Sequence, residues 1–150
     1  MYKRQRGDVF RQAAVKALDT LSRNPNGFFL MIEGSNIDKA AHSNNLEEMM
    51  EELLDFDRTA GAVLDWASKH PGTLVVITAD HNTGAFALTG GSREQGEITG
   101  RFGSGSHDGV AVPVYAFGAG SGDFTGIYEN TDIFNKIMNA LKKGADKPVR

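Results

Sequence analysis

The sequence predicts an α/β fold in which a mainly parallel sheet is flanked by helices. Helix-like and strand-like segments follow one another in the order helix, strand, helix, strand, loop, strand, helix. Such alternation favours parallel strands with helices packed against them. The strand-like segments are also nearly continuous apolar runs, as expected of strands buried on both faces: Phe28–Ile32, Thr73–Ala79 and Val110–Phe117.

Three segments carry apolar residues at the three- and four-residue steps of an amphipathic helix. Asp8 and Thr131 are placed to cap the first and the last of them. Gly61 favours a bend or an interruption in the second, and the tail from Lys142 is charged and expected to fray. The segments are Asp8 to about Ser22, about Asn45 to Ser68, and Asp132 to Leu141.

Turn and loop signals separate these elements. Asn24–Gly27 is a turn before the first strand, and His70–Gly72 ends the second helix. The glycine-rich stretch Asn82–Ser106 is interpreted as a loop with a short hairpin around Ala85–Thr89. Pro113 lacks a backbone N–H, which places the third strand at a sheet edge or bulge.

The composition predicts one globular domain spanning residues 1–150. A net charge of −3 provides no basic field to recruit nucleic acid or an anionic membrane. No apolar run is long enough to span a bilayer, and the basic start, Met1–Gly7, is not followed by the apolar stretch of a signal peptide. Since the chain has no cysteine, any metal must be held by carboxylate and imidazole groups.

The end of the first apolar run carries groups that suit a cation. Glu33 follows the run directly, and Asp38 and His42 are four residues apart, which on a helical turn places them on one face. Ligands of open α/β sheets bind at this end of the strands. A capping aspartate beside a surface histidine would have the same spacing, so the pair by itself leaves both interpretations open.

Three of the four histidines lie beside carboxylates near predicted strands, namely His42, His81 and His107; only His70 lies in an ordinary helix-breaking segment. Asp80 and His81 are consecutive, and consecutive residues of a regular strand point to opposite faces. Both can reach one metal only where the strand gives way to a loop, and Asn82–Gly84 indicates such a turn.

Three segments, in this order, resemble the metal-binding segments of the alkaline phosphatases. They are FFLMIEGSNIDKAAH at 28–42, Thr78–His81 and Ser106–Gly109, and the resemblance extends from about Gln5 to Leu141. Asp108 departs from the small or hydroxyl residue that this family often has, whereas Gly109 is kept. The resemblance implies an alkaline phosphatase-like fold, present in part, and hydrolysis of phosphate monoesters at a site with two zinc ions and one magnesium ion.

The resemblance also implies a role for each candidate residue. The first zinc would be held by Asp38, His42 and His107, with its fourth position open for substrate. The second zinc would be held by Asp80 and His81, and the magnesium ion by Glu33. Lys39 would contact phosphate through water, although a solvated surface lysine would look the same.

The nucleophilic serine and the phosphate-binding arginine of the family lie upstream of the matched part. We therefore expect a C-terminal portion of a phosphatase that is inactive alone. The resemblance further implies a homo-oligomer, dimeric at full length, and a periplasmic or extracellular location.

Two other interpretations stay open. The chain could belong to another branch of the superfamily, a phosphodiesterase or a phosphomutase, or it could be a noncatalytic zinc-binding or structural module. The acidic run Glu47–Asp57 is interpreted as a solvated helix face without a ligand role.

Overall fold

A computed structural model describes residues 7–145, and the side chains of residues 7–143. Most of the basic segment at the start and of the charged tail therefore lies outside the described residues. Within the described part, no helix has both the length and the apolar character that crossing a bilayer requires.

The predicted helices form, and the described residues contain a further short helix between the first two of them. The long helix that was predicted second, Leu46–Ser68, runs without a break through Gly61. The Asn45 side chain caps its first turn by accepting a hydrogen bond from the Glu48 backbone N–H. Asp8 occupies the N-cap position of the first helix, but its carboxylate binds Arg11 rather than the backbone. The helices are α1 Val9–Leu21, α2 Asn36–His42, α3 Leu46–Ser68 and α4 Asp132–Ala145, with a 3₁₀ helix at Ser121–Phe124.

Within residues 7–145, six short strands form three two-stranded antiparallel sheets. β1 pairs with β6, β2 with β5, and β3 with β4 as a hairpin within the predicted loop. The hairpin is longer than the one expected around Ala85–Thr89. The strands are β1 Leu74–Ile77, β2 Asn82–Thr83, β3 Ala87–Ser92, β4 Glu97–Arg101, β5 His107–Asp108 and β6 Tyr115–Gly118.

The α/β class is confirmed, but the expected parallel pairing is not found among the described residues. Phe28–Ile32, the strand predicted first, is not part of any strand, because no neighbouring segment completes a hydrogen-bonded ladder with it. The predicted third strand begins late, at Tyr115, after Pro113 has removed a ladder donor.

Two small clusters of buried side chains form the core. The first joins α1, α3 and the segment after the Asn24–Gly27 turn, and it contains Leu18, Trp66 and Ala67 with Phe28, Leu30, Val63 and Val75 against them. The second fixes α2 on α3 and contains Ala40, Ala41 and Met49 with Ile37, Leu46, Phe86 and Phe102. α2 therefore has a buried alanine face, and its opposite face is free to carry polar side chains.

The acidic run on α3 was wrongly predicted to be solvated throughout. Asp55 is 2% exposed and Glu52 is 9% exposed. Steps of three and four residues from Met49 place both acids on the buried face of the helix. Charge alone therefore did not identify the solvent-facing side.

Candidate metal centre

Helix α2 brings Asp38 and His42 together one turn apart. The Asp38 Oδ1 and His42 Nε2 atoms are separated by 3.4 Å. Ala40 and Ala41, 1% and 3% exposed, anchor the other side of this short helix. The spacing of Asp38 and His42 thus produces the shared face that the sequence predicts, and buried alanines hold that face in place.

His107 reaches the same point from β5. Its Nε2 atom lies 3.5 Å from Asp38 Oδ1 and 3.0 Å from His42 Nε2. Ligand atoms of a tetrahedral zinc, each about 2.0–2.2 Å from the ion, are about 3.3–3.6 Å apart. One carboxylate and two imidazoles with ligand atoms 3.0–3.5 Å apart lie close to this range, so the group could hold a metal ion.

Hydrogen bonding fixes which nitrogen of His42 faces this group. His42 Nδ1 lies 2.8 Å from the Gly105 carbonyl oxygen. Because a carbonyl only accepts, Nδ1 carries a proton, and the lone pair of the neutral ring is on Nε2, which faces Asp38 and His107. An outer hydrogen bond of this kind orients a metal-ligating histidine.

Thr83 adds a contact that the sequence did not indicate. Its Oγ1 donates to Asp38 Oδ1 at 2.6 Å and lies 3.1 Å from His81 Nδ1. Partial burial raises the pKa of Asp38, but the Thr83 hydrogen bond and the nearby histidines outweigh it, so that the pKa is lowered overall. Asp38 therefore favours the ionised form, which is the form that binds a cation.

Asp80 and His81 lie beside this group. The His81 ring stacks on the His107 ring with centroids 3.5 Å apart, and His81 Nε2 is 3.2 Å from Asp80 Oδ2. β1 ends at Ile77, so both residues follow the strand as predicted, but Asn82 and Thr83 form β2 rather than the expected turn. The Asp80 side chain is 85% exposed.

Glu33 and Lys39 do not join the cluster. In the part of the chain with described side chains, the group of three or more close ligand atoms consists of Asp38, His42 and His107, all within 4.8 Å. Glu33 is exposed after the first apolar segment. Lys39 Nζ donates to Asn36 Oδ1 at 3.3 Å, which keeps its ammonium group on α2.

Asp108 forms hydrogen bonds that link the segment of His81 to the segment of His107. Its carboxylate accepts hydrogen bonds from the Asn82 side chain and from the backbone N–H groups of Ala85 and Val110, at 2.9–3.1 Å. These backbone and side-chain donors lower the pKa of Asp108. The departure from the family pattern at this position is thus a structural tie across β2 and β5.

Comparison with known proteins gives a consistent family. The alkaline phosphatase family model matches residues 6–101. Alkaline phosphatase 4 of Bacillus subtilis (strain 168) is 29% identical over 202 residues, covering 89% of this chain and 44% of the relative.

Solved structures agree. The alkaline phosphatase of the Antarctic bacterium TAB5 superposes with a TM-score of 0.85 and 40% identity, covering 92% of this chain and 42% of that one. A histidine-to-glutamate mutant of the same enzyme, described with Mg bound in its M3 site, gives a TM-score of 0.84 at 39% identity and the same coverage. The chain thus spans less than half the length of these relatives.

Proposed function

Because the chain belongs to the alkaline phosphatase family, we propose that it supplies the metal-binding portion of an enzyme that hydrolyses phosphate monoesters. The observation that carries this proposal is the convergence of Asp38, His42 and His107, with their ligand atoms 3.0–3.5 Å apart. These residues come from two elements far apart in sequence. A surface cluster of unrelated polar groups would not need the outer hydrogen bond that orients His42.

Zinc is the metal that suits this group. Asp38 offers an oxygen ligand, and His42 and His107 offer nitrogen ligands, in the combination of three protein ligands that catalytic zinc sites use. The chain contains no thiolate that would favour a purely structural site. The open fourth position would take a phosphate oxygen of the substrate.

A second zinc and a magnesium ion complete the proposal. His81 stacks on His107, so His81 and Asp80 are close enough to hold a second ion beside the first. Glu33 would be a ligand of magnesium, which prefers carboxylate and water oxygens. Support for magnesium comes from the TAB5 relative described with Mg bound.

In this scheme the residues of this chain bind the metal ions and orient the ligand side chains. When bound, the metal ions would stabilise the attacking and leaving oxygens of a phosphoryl transfer. Gly105 holds the His42 ring in position, Thr83 holds Asp38, and Asp108 links β2, next to His81, to the strand of His107. Lys39, one residue after Asp38, would place a positive charge near the phosphate through water.

The nucleophilic serine and the phosphate-binding arginine belong to the part of the family fold outside the matched portion. We propose that turnover requires both, since phosphoryl transfer depends mainly on positioning and charge stabilisation. The chain alone should therefore bind metal without hydrolysing ester. By the same family argument, the complete enzyme would be a homodimer in the periplasm or outside the cell.

A zinc-binding measurement tests the proposed site of Asp38, His42 and His107. The purified chain should compete with a chromophoric chelator for zinc, and His107→Ala should weaken its affinity by more than the roughly 10–100-fold typical of losing an outer hydrogen bond. His70→Ala is the matched control, since His70 stacks on Trp66 and lies outside the group. Equal affinities for both variants would contradict the proposed site.

Hydrolysis of p-nitrophenyl phosphate with zinc and magnesium supplied tests whether the chain alone is inactive, as proposed. No turnover is expected from the chain alone. Metal-dependent turnover that His107→Ala abolishes would show that these residues include a sufficient nucleophile. It would refute the proposal that turnover requires the serine and the arginine outside the matched portion. Zinc binding without turnover, even after the remaining part of the fold is supplied, would favour a noncatalytic zinc-binding module.

A further inference from the structure

We propose that Thr83 is a positioning residue that links the two metal positions through one hydroxyl group. The inference rests on the proposed function, since it assigns Asp38 to the first metal and His81 to the second. Thr83 is 9% exposed, and its Oγ1 lies within hydrogen-bond distance of both side chains. The His107 side chain also contacts both residues, at 3.5 Å from Asp38 Oδ1 and by stacking on the His81 ring, and Thr83 adds a hydrogen-bonded link beside it.

The two hydrogen bonds have a definite direction. A threonine hydroxyl has one proton to donate and lone pairs that accept. The ionised Asp38 carboxylate only accepts, so Thr83 donates to Asp38 Oδ1 over 2.6 Å. The contact with His81 Nδ1 at 3.1 Å must then use a lone pair of the hydroxyl, with His81 Nδ1–H as the donor.

This direction selects a tautomer of His81. With the proton on Nδ1, the neutral ring has its lone pair on Nε2, 3.2 Å from Asp80 Oδ2. Since both of these atoms then act as acceptors, the arrangement requires a cation between them, which the proposed second metal ion would supply. Nε2 is therefore presented on the side of the other candidate ligand of the second metal. Without the hydroxyl, neither the ring orientation nor the tautomer of His81 would be fixed from this side.

The backbone holds Thr83 in this place. Thr83 pairs with His107 in the β2–β5 ladder, and the next residue, Gly84, donates its N–H to the Ser106 carbonyl oxygen at 2.9 Å. One residue is thus tied to the strand of His107 by its main chain and to Asp38 and His81 by its side chain. A change at one metal position is transmitted to the other by this residue.

Thr83→Val and Thr83→Ser separate the hydroxyl from the shape. Valine keeps the branched side chain and loses the hydroxyl, whereas serine keeps the hydroxyl. We expect Thr83→Val to lower zinc affinity roughly 10–100-fold in chelator competition, as for other outer-shell hydrogen bonds, and Thr83→Ser to restore most of it. A loss caused only by packing would be larger in serine than in valine.

The ¹⁵N chemical shifts of His81 in the metal-free chain give a second, independent readout. The wild type should show a proton on Nδ1, whereas in Thr83→Val the proton should shift towards Nε2, where the Asp80 carboxylate remains as an acceptor. An unprotonated Nδ1 in the wild type would overturn the inference, even if Thr83→Val failed to fold. Unchanged zinc affinity and an unchanged tautomer in a folded Thr83→Val would also overturn it.

These outcomes are distinct from failure of the proposed function. If the wild type bound no zinc, the metal site would be refuted, and the tautomer would still decide whether Thr83 orients His81. If zinc bound through Asp38, His42 and His107 but did not respond to Thr83→Val, the metal site would stand and the linking role would fall.

Discussion

At the scale of single residues, Gly84 lies against α2, the helix that carries Asp38 and His42. It has φ +80°, and a Cβ there would lie 2.8 Å from the Phe102 ring and 3.1 Å from the Ala41 carbonyl oxygen. Ala41 precedes His42, so a displaced Ala41 would move the proposed ligand His42. We expect Gly84→Ala to lower the free energy of unfolding by about 1–3 kcal/mol through backbone strain, with an added penalty from the clash.

Denaturant unfolding followed by the fluorescence of Trp66, the one tryptophan of the chain, measures this effect. Gly96→Ala is the matched control, because Gly96 also has a positive φ, +66°, but has nothing within 4 Å of its Cβ position. Both variants share the cost of the backbone conformation, and only Gly84→Ala adds the contact. Equal losses of stability and of zinc affinity in the two variants would show that the close approach is unimportant.

The sequence indicates some of these residues and not others, for a physical reason. Asp38 and His42 are four residues apart on one helix, so their meeting is a local event that spacing predicts. Thr83 and Asp108 act through the β2–β5 pairing, which joins residues more than twenty positions apart. A single hydroxyl or carboxylate has no spacing in the sequence that indicates such a distant partner.

At the scale of elements, α4 is held to the rest of the chain partly by one charged side chain on the 3₁₀ helix. Lys143 donates to Asp123 Oδ2 at 2.8 Å, and Lys136 donates to the Asp123 carbonyl oxygen at 2.7 Å. The hydrogen bond and charge of Lys143 lower the pKa of Asp123 below its ordinary value of 3.8. A lowered pKa means that the stabilisation is complete above 3.8 and is lost as the pH falls through the lowered value.

Hydrogen exchange of α4 amides, corrected for the intrinsic effect of pH, tests this attachment. We expect Asp123→Asn to lower protection of α4 near neutral pH and to match the wild type once the pH is below the lowered pKa. Added salt should shrink the difference, since the ion pair is exposed. Lys142→Gln is the control for charge alone, and an effect as large as that of Lys143→Gln would argue against a specific pair.

The helices are easier to predict than the strands because the residues that determine a helix lie within one segment, whereas a strand requires a second segment. The positions of α1 and α3 follow from apolar spacing within each segment and from local caps such as Asn45. Strand formation requires a second segment, and Phe28–Ile32 has the composition of a buried strand without such a neighbour in the described residues. The antiparallel pairing of β1 with β6 likewise depends on distant chain.

At the scale of the whole molecule, large apolar side chains remain uncovered on several elements. Phe29 and Met31 are 62% and 76% exposed, while their neighbours Phe28 and Leu30 pack against the first core cluster. Tyr115 on β6 is 63% exposed, and Phe134 on α4 is 66% exposed. The chain matches 42% of the length of the TAB5 enzyme, so more than half of that fold has no counterpart here.

The exposed apolar groups on residues 28–32, a segment that pairs with no strand among the described residues, should drive self-association of these 150 residues. We expect the weight-average mass in sedimentation or light scattering to rise with concentration. The double variant Phe29→Ser, Met31→Ser should weaken association at least about tenfold, because burying one such side chain is worth about 1.5–3 kcal/mol. Val9→Ser, at a position 61% exposed on α1, is the control for a general loss of surface hydrophobicity. A monodisperse monomer at high concentration would refute the prediction, and an equal effect of the control would mean that association does not use the 28–32 segment.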